Sequence, residues 1–373
     1  MKVLNVVGAR PNFVKIAPLL REMAKRPQID PVLVHTGQHY DAQMSDGFFD
    51  ALAIPAPDVN LGVGSGSHAQ QTAEVMKRLE PVLEAVRPDV VLVVGDVNST
   101  VAAALVATKL GIRVGHVEAG LRSFDRSMPE EINRLVTDAL ADDLFATEES
   151  GVMNLAREGV PAERVHFVGN VMIDALRLAK PLWQGATVFR DLGLDPQGRY
   201  GVVTLHRPSN VDDPRRLREM VSALQELARD FPLVFPVHPR VRTRLARESV
   251  AWRTPKQPLP ARGLVCMDPL GYLDFVALVS RASIVLTDSG GIQEETTMLG
   301  VPCLTLRENT ERPVTVTHGT NRVIGTAPRR IVDEGLRALA NPPLPQAPPP
   351  LWDGHASARI VDVLLGVAIE AAA

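Results

Sequence analysis

Twice along this 373-residue chain, short runs of β-branched residues alternate with stretches of helical periodicity, and each run stops on polar or glycine-rich residues. The first series is VLNVVGAR, PVLVHTGQH, VVLVVGD, RVGHVEAG, DLFATEES and VHFVGN. After a helical and irregular stretch from Val171 to about Gly198, a second begins with YGVVTLHR, LVFPVHPR, GLVCMDPL, SIVLTDSGG, VPCLTLRE and TNRVIGT. A strand that is apolar along its whole length needs cover on both faces, and helices between parallel strands supply it. The pattern therefore predicts an α/β protein of two successive Rossmann-like domains. The proline-rich NPPLPQAPPPLWDG reads as an extended connector, and ASARIVDVLLGVAIE as a terminal helix able to pack back on the first domain. The expected division is 1–170 with 355–373 as one domain and 171–354 as the other.

Composition narrows the function. Forty basic against 43 acidic residues give a formal net charge of −3, so no global field draws the protein to nucleic acid or to an anionic membrane. Aromatic residues at 4% are too few for base-stacking platforms. Cys266 and Cys303 stand apart in apolar runs without metal-ligand spacing and read as core thiols. The N-terminus reaches Arg10 too soon for a signal peptide, and no apolar run approaches membrane-spanning length, so a cytoplasmic enzyme is expected.

In open α/β sheets, ligands bind beyond the carboxyl ends of the strands. DVVLVVGDVNST puts Asp96 at such an end, where it serves either as a helix cap or as a chemical group facing a crevice. HVEAGLRS puts Glu118 at another strand tip, and RSMPEEINR offers Glu130 and Glu131 in a first helical turn, where a carboxylate also complements the helix dipole. Arg122 and Arg134 read equally as structural ion-pair partners. Several acids converging on one crevice suit proton abstraction and return.

Anion-binding features surround these acids. GARPNFVK supplies a tight turn with Arg10 and Lys15 available for phosphate, without the G-x-G-x-x-G fingerprint that a nicotinamide cofactor would favour. TDSGGIQEE places Ser289, Gly290 and Gly291 at a strand-to-helix junction, where free amides hold a diphosphate or a glycine turn simply starts the helix. Glu295 lies about one turn further on, in reach of ribose hydroxyls. His206 and His238 end two neighbouring strands of the same sheet, which favours a ligand role over a purely structural one.

Taken in order, GARPNFVKIAPL, GDVNST, GHVEAGLRS, MPEEINR, VGNVMIDAL, TLHRP, FPVHP, LTDSGGIQEE and ENTERP resemble the non-hydrolysing UDP-N-acetylglucosamine 2-epimerases, from about Lys2 to Thr326. The resemblance implies the two-domain GT-B glycosyltransferase architecture, with nucleotide in a cleft faced by both domains. It also implies a homodimer with neither metal nor redox cofactor, interconverting UDP-N-acetylglucosamine and UDP-N-acetylmannosamine. Matching positions imply Asp96, Glu118 and Glu130 as catalytic carboxylates, with His206 beside them. They imply contacts to UDP from Arg10, Lys15, His238, Ser289, Gly290, Gly291, Glu295 and Arg312, and a uracil-side position for Phe275. Two other activities share parts of the pattern. Relatives acting on UDP-2,3-diacetamido uronic acids resemble it in LRSFDRSMPEE, and a glycosyltransferase of the same architecture would share DSGGIQEE.

The chain also departs from the family. Pro208 stands where many members carry a second arginine, and Val97 where threonine is common. Gln38 matches a position that binds an activating second UDP-N-acetylglucosamine in several bacterial members, but Asp41 replaces a glutamine there and GSGSHAQQ differs as well. The reverse reaction, started from UDP-N-acetylmannosamine alone, is therefore expected to proceed without a lag. Progress curves that stay flat until trace UDP-N-acetylglucosamine is added would show instead that the activator site survives.

Overall fold

The computed structural model describes residues 1–37, 54–195, 197–245, 248, 250–254, 256–343 and 347–367, with all their side chains except those of Arg10, Pro239 and Arg240. Gln38 and Asp41 lie outside the described residues. The chain forms two compact units, one of Met1–Leu178 with Pro350–Ala373 and the other of Ala179–Pro349.

The first unit is built on strands β1 (Lys2–Val7), β2 (Asp30–His35), β3 (Val59–Asn60), β4 (Val90–Val94), β5 (Arg113–Ala119), β6 (Asp143–Ala146) and β7 (Val165–Phe167). They form one parallel sheet in the order β3-β2-β1-β4-β5-β6-β7. The chain winds outward from β1 to β3 and then returns to β4 on the other flank of β1. The carboxyl ends of β1 and β4 thus frame the switch point where such sheets take ligands. Every residue of β4 is buried, as a strand covered on both faces requires. The alanine-rich helix Asn98–Lys109 lies close over the sheet and against helix His68–Val86. Ser67 starts the latter helix, its Oγ accepting from the Gln70 amide at 3.3 Å.

The end of the chain completes this unit. Helix Ala356–Leu364 packs on helices Arg10–Met23 and Val171–Leu178. Asp174 accepts hydrogen bonds from the Ala356 and Ser357 amides at 3.2 and 2.7 Å, occupying donors that the helix start leaves open. Trp352 is buried and donates to the Thr147 carbonyl at 3.0 Å, so the end of the proline-rich stretch is anchored in the core.

The second unit repeats the plan with β8 (Gly201–Thr204), β9 (Pro232–Pro236), β10 (Ala251–Arg253), β11 (Gly263–Met267), β12 (Ile284–Thr287), β13 (Cys303–Thr305) and β14 (Asn321–Val323). Its parallel order is β10-β11-β9-β8-β12-β13-β14, which puts the switch point between β8 and β12. Amphipathic helices Pro214–Leu227 and Pro328–Ala340 pack together, Leu217, Met220, Leu224 and Ile331 joining the core. Cys266 and Cys303 are buried core thiols, pushed up to about 12 by burial. Among the described residues no helix is long and apolar enough to cross a membrane.

One contact ties the chain terminus to the first unit tightly enough to test. Gly169 has φ +86°, and a Cβ there would stand 2.0 Å from the Leu351 carbonyl oxygen. Gly169→Ala should cost about 2 kcal/mol or more, from left-handed strain plus a clash with backbone. The expected outcome is a melting point lower by roughly 4–8 °C and faster thermolysin release of the terminal helix. Wild-type protease resistance would show that Leu351 gives way without loosening the helix.

Candidate functional site

At the first unit's switch point, Asp96 and Glu118 are each held by a buried cation. Asp96 follows β4, and its side chain is 28% exposed. Its Oδ2 lies 2.5 Å from Arg134 Nη1, while the Asn133 amide group donates to its backbone carbonyl at 2.8 Å. The N-cap of the following helix is Val97, which makes no side-chain cap bond.

Glu118 stands near the end of β5 at φ +75°, where the ladder to β6 shifts register between Val117 and Ala119. A bulge of this kind re-aims a side chain. The Glu118 side chain is only 3% exposed; its Oε2 is 2.5 Å from Lys15 Nζ, and its Oε1 has no partner among the described residues. Gly95 sits against this pair, for a Cβ there would meet Lys15 Nζ at 3.3 Å and Glu118 Oε2 at 3.4 Å. Asn12 ties the turn after β1 to the same place, accepting from the Ala9 amide at 3.0 Å and donating to the Val94 carbonyl at 2.8 Å.

Two buried networks hold these tips from behind. His116 of β5 bridges the Asp138 carboxylate at 2.6 Å and the Gly95 carbonyl at 2.8 Å. Asp138 also takes the Gly120 amide at 3.0 Å and Arg122 at 2.7 Å, and Arg122 reaches on to Glu158 at 2.6 Å. Burial works to raise the Asp138 carboxyl, and His116 and Arg122 outweigh it, holding the group below the usual carboxylate range. Glu131, in the first turn of helix Pro129–Leu140, does more than complement a dipole. It accepts from the Ser123 amide and hydroxyl and from the Phe124 amide, each at 2.9 Å, and pairs with Arg134 at 2.6 Å. Burial opposes its ionisation, and the Ser123 amide and Arg134 overcome that and hold the carboxyl low. Arg134 thus joins Glu131 to Asp96. Glu130, its neighbour in the same turn, is half-buried, and Arg10 opens its helix with a side chain outside the described residues.

In the second unit the switch point is organised by Asp288, a residue the sequence reading passed over although it directly precedes Ser289. Fully buried, it accepts from the His206 and Arg207 amides at 3.1 and 3.0 Å, from the Asn210 side chain at 3.1 Å, and lies 3.0 Å from His206 Nδ1. Burial would raise its carboxyl, but His206 and these donors hold it low. His206 itself is partly exposed, its ring centroid 6.1 Å from that of His238.

Ser289 begins helix Gly290–Leu299, with Gly291 half-buried in its first turn. Beneath it, Glu311 lies 2.7 Å from Arg312, 2.8 Å from Arg307 and 3.4 Å from Arg207, and Arg312 also pairs with Glu294 at 2.6 Å. Three guanidiniums gather here around Glu311 and Glu294, below a helix start whose free amides and dipole suit a diphosphate. Gly290 must lack a side chain, because a Cβ would stand 2.4 Å from Arg312 Nη1. Glu295 is buried and accepts at 3.2 Å from the hydroxyl of Tyr272, which begins helix Tyr272–Ser280 one turn before the half-buried Phe275. Among the described residues no group of three or more His, Cys, Asp or Glu could hold a metal ion.

The Glu311 cluster makes a pH-dependent contribution. Burial pushes the Glu311 carboxyl up, and the charges of Arg312, Arg307 and Arg207 bring it far below its ordinary 4.5. A depressed carboxyl stabilises the fold fully above its unfolded value, and that contribution is lost as pH falls below about 4.5 toward the folded value. Glu311→Gln should therefore cost about 3 kcal/mol or more near neutral pH, by leaving buried guanidiniums uncompensated. In urea titrations followed over pH, the deficit against wild type should shrink below about pH 4.5. A deficit that does not change with pH would mean the cluster acts by packing alone.

A family model described as UDP-N-acetylglucosamine 2-epimerase matches residues 21–365. A Methanocaldococcus jannaschii protein named UDP-N-acetylglucosamine 2-epimerase is 40% identical over 370 residues, covering 98% of this chain and 99% of the relative. A Pseudomonas aeruginosa protein named UDP-2,3-diacetamido-2,3-dideoxy-D-glucuronate 2-epimerase is 39% identical over 367 residues, with coverage of 98% and 99%. The crystal structure of the Methanocaldococcus jannaschii UDP-GlcNAc 2-epimerase in complex with UDP-GlcNAc and UDP superposes with a TM-score of 0.87 at 38% identity, covering 98% of this chain and 100% of that one. With carboxylates at the strand ends of one unit, a glycine-led helix start above three arginines in the other and likeness along nearly the whole length, the chain belongs to the UDP-N-acetylglucosamine 2-epimerase family.

Proposed function

We propose that this protein, as a homodimer, interconverts UDP-N-acetylglucosamine and UDP-N-acetylmannosamine by inverting C2. The observation that carries the reading is the Glu118 carboxylate, buried with one oxygen on Lys15 and the other without a partner among the described residues, beside the partly exposed Asp96. An oxygen held in place and left without a donor is suited to take a proton.

The C2 hydrogen of the sugar has no carbonyl beside it to acidify it, so direct removal and return of the proton would be slow. Elimination avoids this. A carboxylate takes the C2 proton, the C1–O bond breaks with its electrons leaving on UDP, and a C1=C2 double bond forms in 2-acetamidoglucal. UDP then adds back to C1 while a proton reaches C2 on the opposite face. In this reading Asp96, Glu118 and Glu130 share the proton transfers. UDP is held by Arg10, His238, Phe275, Ser289, Gly290, Gly291, Glu295 and Arg312. His206, fixed by Asp288, and the arginines around Glu311 stabilise the charge that develops on the departing diphosphate. Lys15, seated on Glu118, orients that carboxylate.

The Pseudomonas aeruginosa relative supports a second reading, in which the same chemistry acts on a UDP-2,3-diacetamido uronic acid, since its identity to this chain is nearly that of the Methanocaldococcus jannaschii protein. The two substrates differ at C3 and C6, away from the reacting bond, and assay of both decides between them.

Asp96→Asn keeps the size of the side chain and part of its hydrogen bonding while removing its charge. With Arg134 still paired to Glu131, it should stay folded with a modest loss of stability and lose turnover by roughly a hundredfold or more. In heavy water, with no acceptor present, the wild type should place deuterium at C2 of the product. Near-wild-type turnover by the variant would return Asp96 to a structural role. A product free of solvent deuterium would end the elimination mechanism, and glycosyl transfer that requires an acceptor would then be the reading to take up.

A further inference from the structure

Phe124 combines two features that are unfavourable for a phenylalanine. Its backbone sits at φ +59°, a conformation in which a side chain is strained and glycine is at ease. Its ring is 75% exposed, the most exposed of the large hydrophobic side chains among the described residues. Glycine at this position would relieve both. Strain of this kind persists only where the neighbouring structure enforces it, and here the enforcement is explicit. The Phe124 amide donates to Glu131 Oε1 at 2.9 Å, and Ser123 gives its amide and hydroxyl to Glu131 Oε2, so a buried carboxylate fixes the backbone on both sides of the preceding peptide bond. The loop is tightened further by Ser127, whose amide donates to Asp125 Oδ1 at 3.0 Å.

The location adds the second argument. Phe124 follows β5, on the carboxyl-end side of the sheet where Asp96 follows β4. Arg134, which holds Glu131 at 2.6 Å, holds Asp96 at 2.5 Å through its other terminal nitrogen. One guanidinium thus sets both the loop that presents the ring and the carboxylate assigned to C2 chemistry. We propose that Phe124 is a specificity-determining residue, its ring packing against the apolar C–H face or acetamido methyl of the 2-acetamido sugar. An aromatic face suits such a surface, and the acetamido methyl and the pyranose ring are absent from UDP. The proposal rests on the epimerase reading for the identity of the sugar, and its test is a binding measurement that does not depend on turnover.

Calorimetric titration of the full chain with UDP-N-acetylglucosamine and, separately, with UDP gives the contribution of the sugar to affinity. In Phe124→Gly the affinity for UDP-N-acetylglucosamine should fall at least fivefold, that for UDP should stay within twofold, and the melting point should hold or rise as strain is relieved. Phe124→Tyr should restore the sugar's contribution, while Phe124→Leu should not. Equal loss for both ligands, or no loss for either, would overturn the assignment. So would dissociation of oligomers in Phe124→Gly under light scattering with ligand affinities unchanged, because the ring would then be a contact between copies. Deuterium at C2, followed in parallel on the wild type, tests the epimerase reading alone. A sugar-specific affinity loss together with an unlabelled product would support the role of Phe124 and end that reading.

Discussion

Strands covered on both faces leave a charged side chain very little room. Within the sheet it would lose its hydration without gaining partners, so charge gathers where strands end and helices begin. His116 is the exception that defines the rule, since it is buried within β5 and both ring nitrogens are engaged, one by Asp138 and the other by the Gly95 carbonyl. Elsewhere the constraint places Asp96, Glu118, His206 and Asp288 at strand ends, which makes each switch point a concentration of polar groups within an otherwise apolar layer.

The two switch points use that concentration differently. In the first unit Glu118 is held by Lys15, and Asp96 and Glu131 share Arg134, so acids outnumber the cations that hold them. In the second unit one buried carboxylate, Glu311, gathers three guanidiniums, and the helix that starts at Gly290 adds its dipole beside them. Carboxylates held by adjacent cations suit the movement of protons, and a helix start with guanidiniums gathered below it suits an anionic leaving group. Both are set before any substrate arrives, so little reorganisation is left for the reaction itself.

The sequence made the strand ends legible because a run of valines that stops on aspartate or glutamate can be read one residue at a time. The two Rossmann-like units and the core thiols were readable for the same reason. What holds the tips in place was not readable. Asp138 lies 22 residues from His116 and Glu158 lies 36 from Arg122, distances at which no local periodicity links a residue to its partner. Glu131 was legible only as a dipole partner, since its grip on Ser123 and Phe124 depends on how the loop turns back over the helix start. Asp288 could have been found, because a buried aspartate directly before a serine-glycine helix start has few roles other than fixing that start. The left-handed backbone of Phe124 left no trace in composition or spacing, because phenylalanine is not a residue from which such a turn is inferred.

The first unit is assembled from two stretches of chain that the whole of the second unit separates. During synthesis, Asp174 emerges well before the amides of Ala356 and Ser357 that it will bind, and the Thr147 carbonyl waits for Trp352 in the same way. The second unit, continuous in the chain, can close as soon as it leaves the ribosome, whereas the first must hold an unfinished flank until the last residues appear. The half that carries Asp96 and Glu118 is therefore begun before the other unit and completed after it.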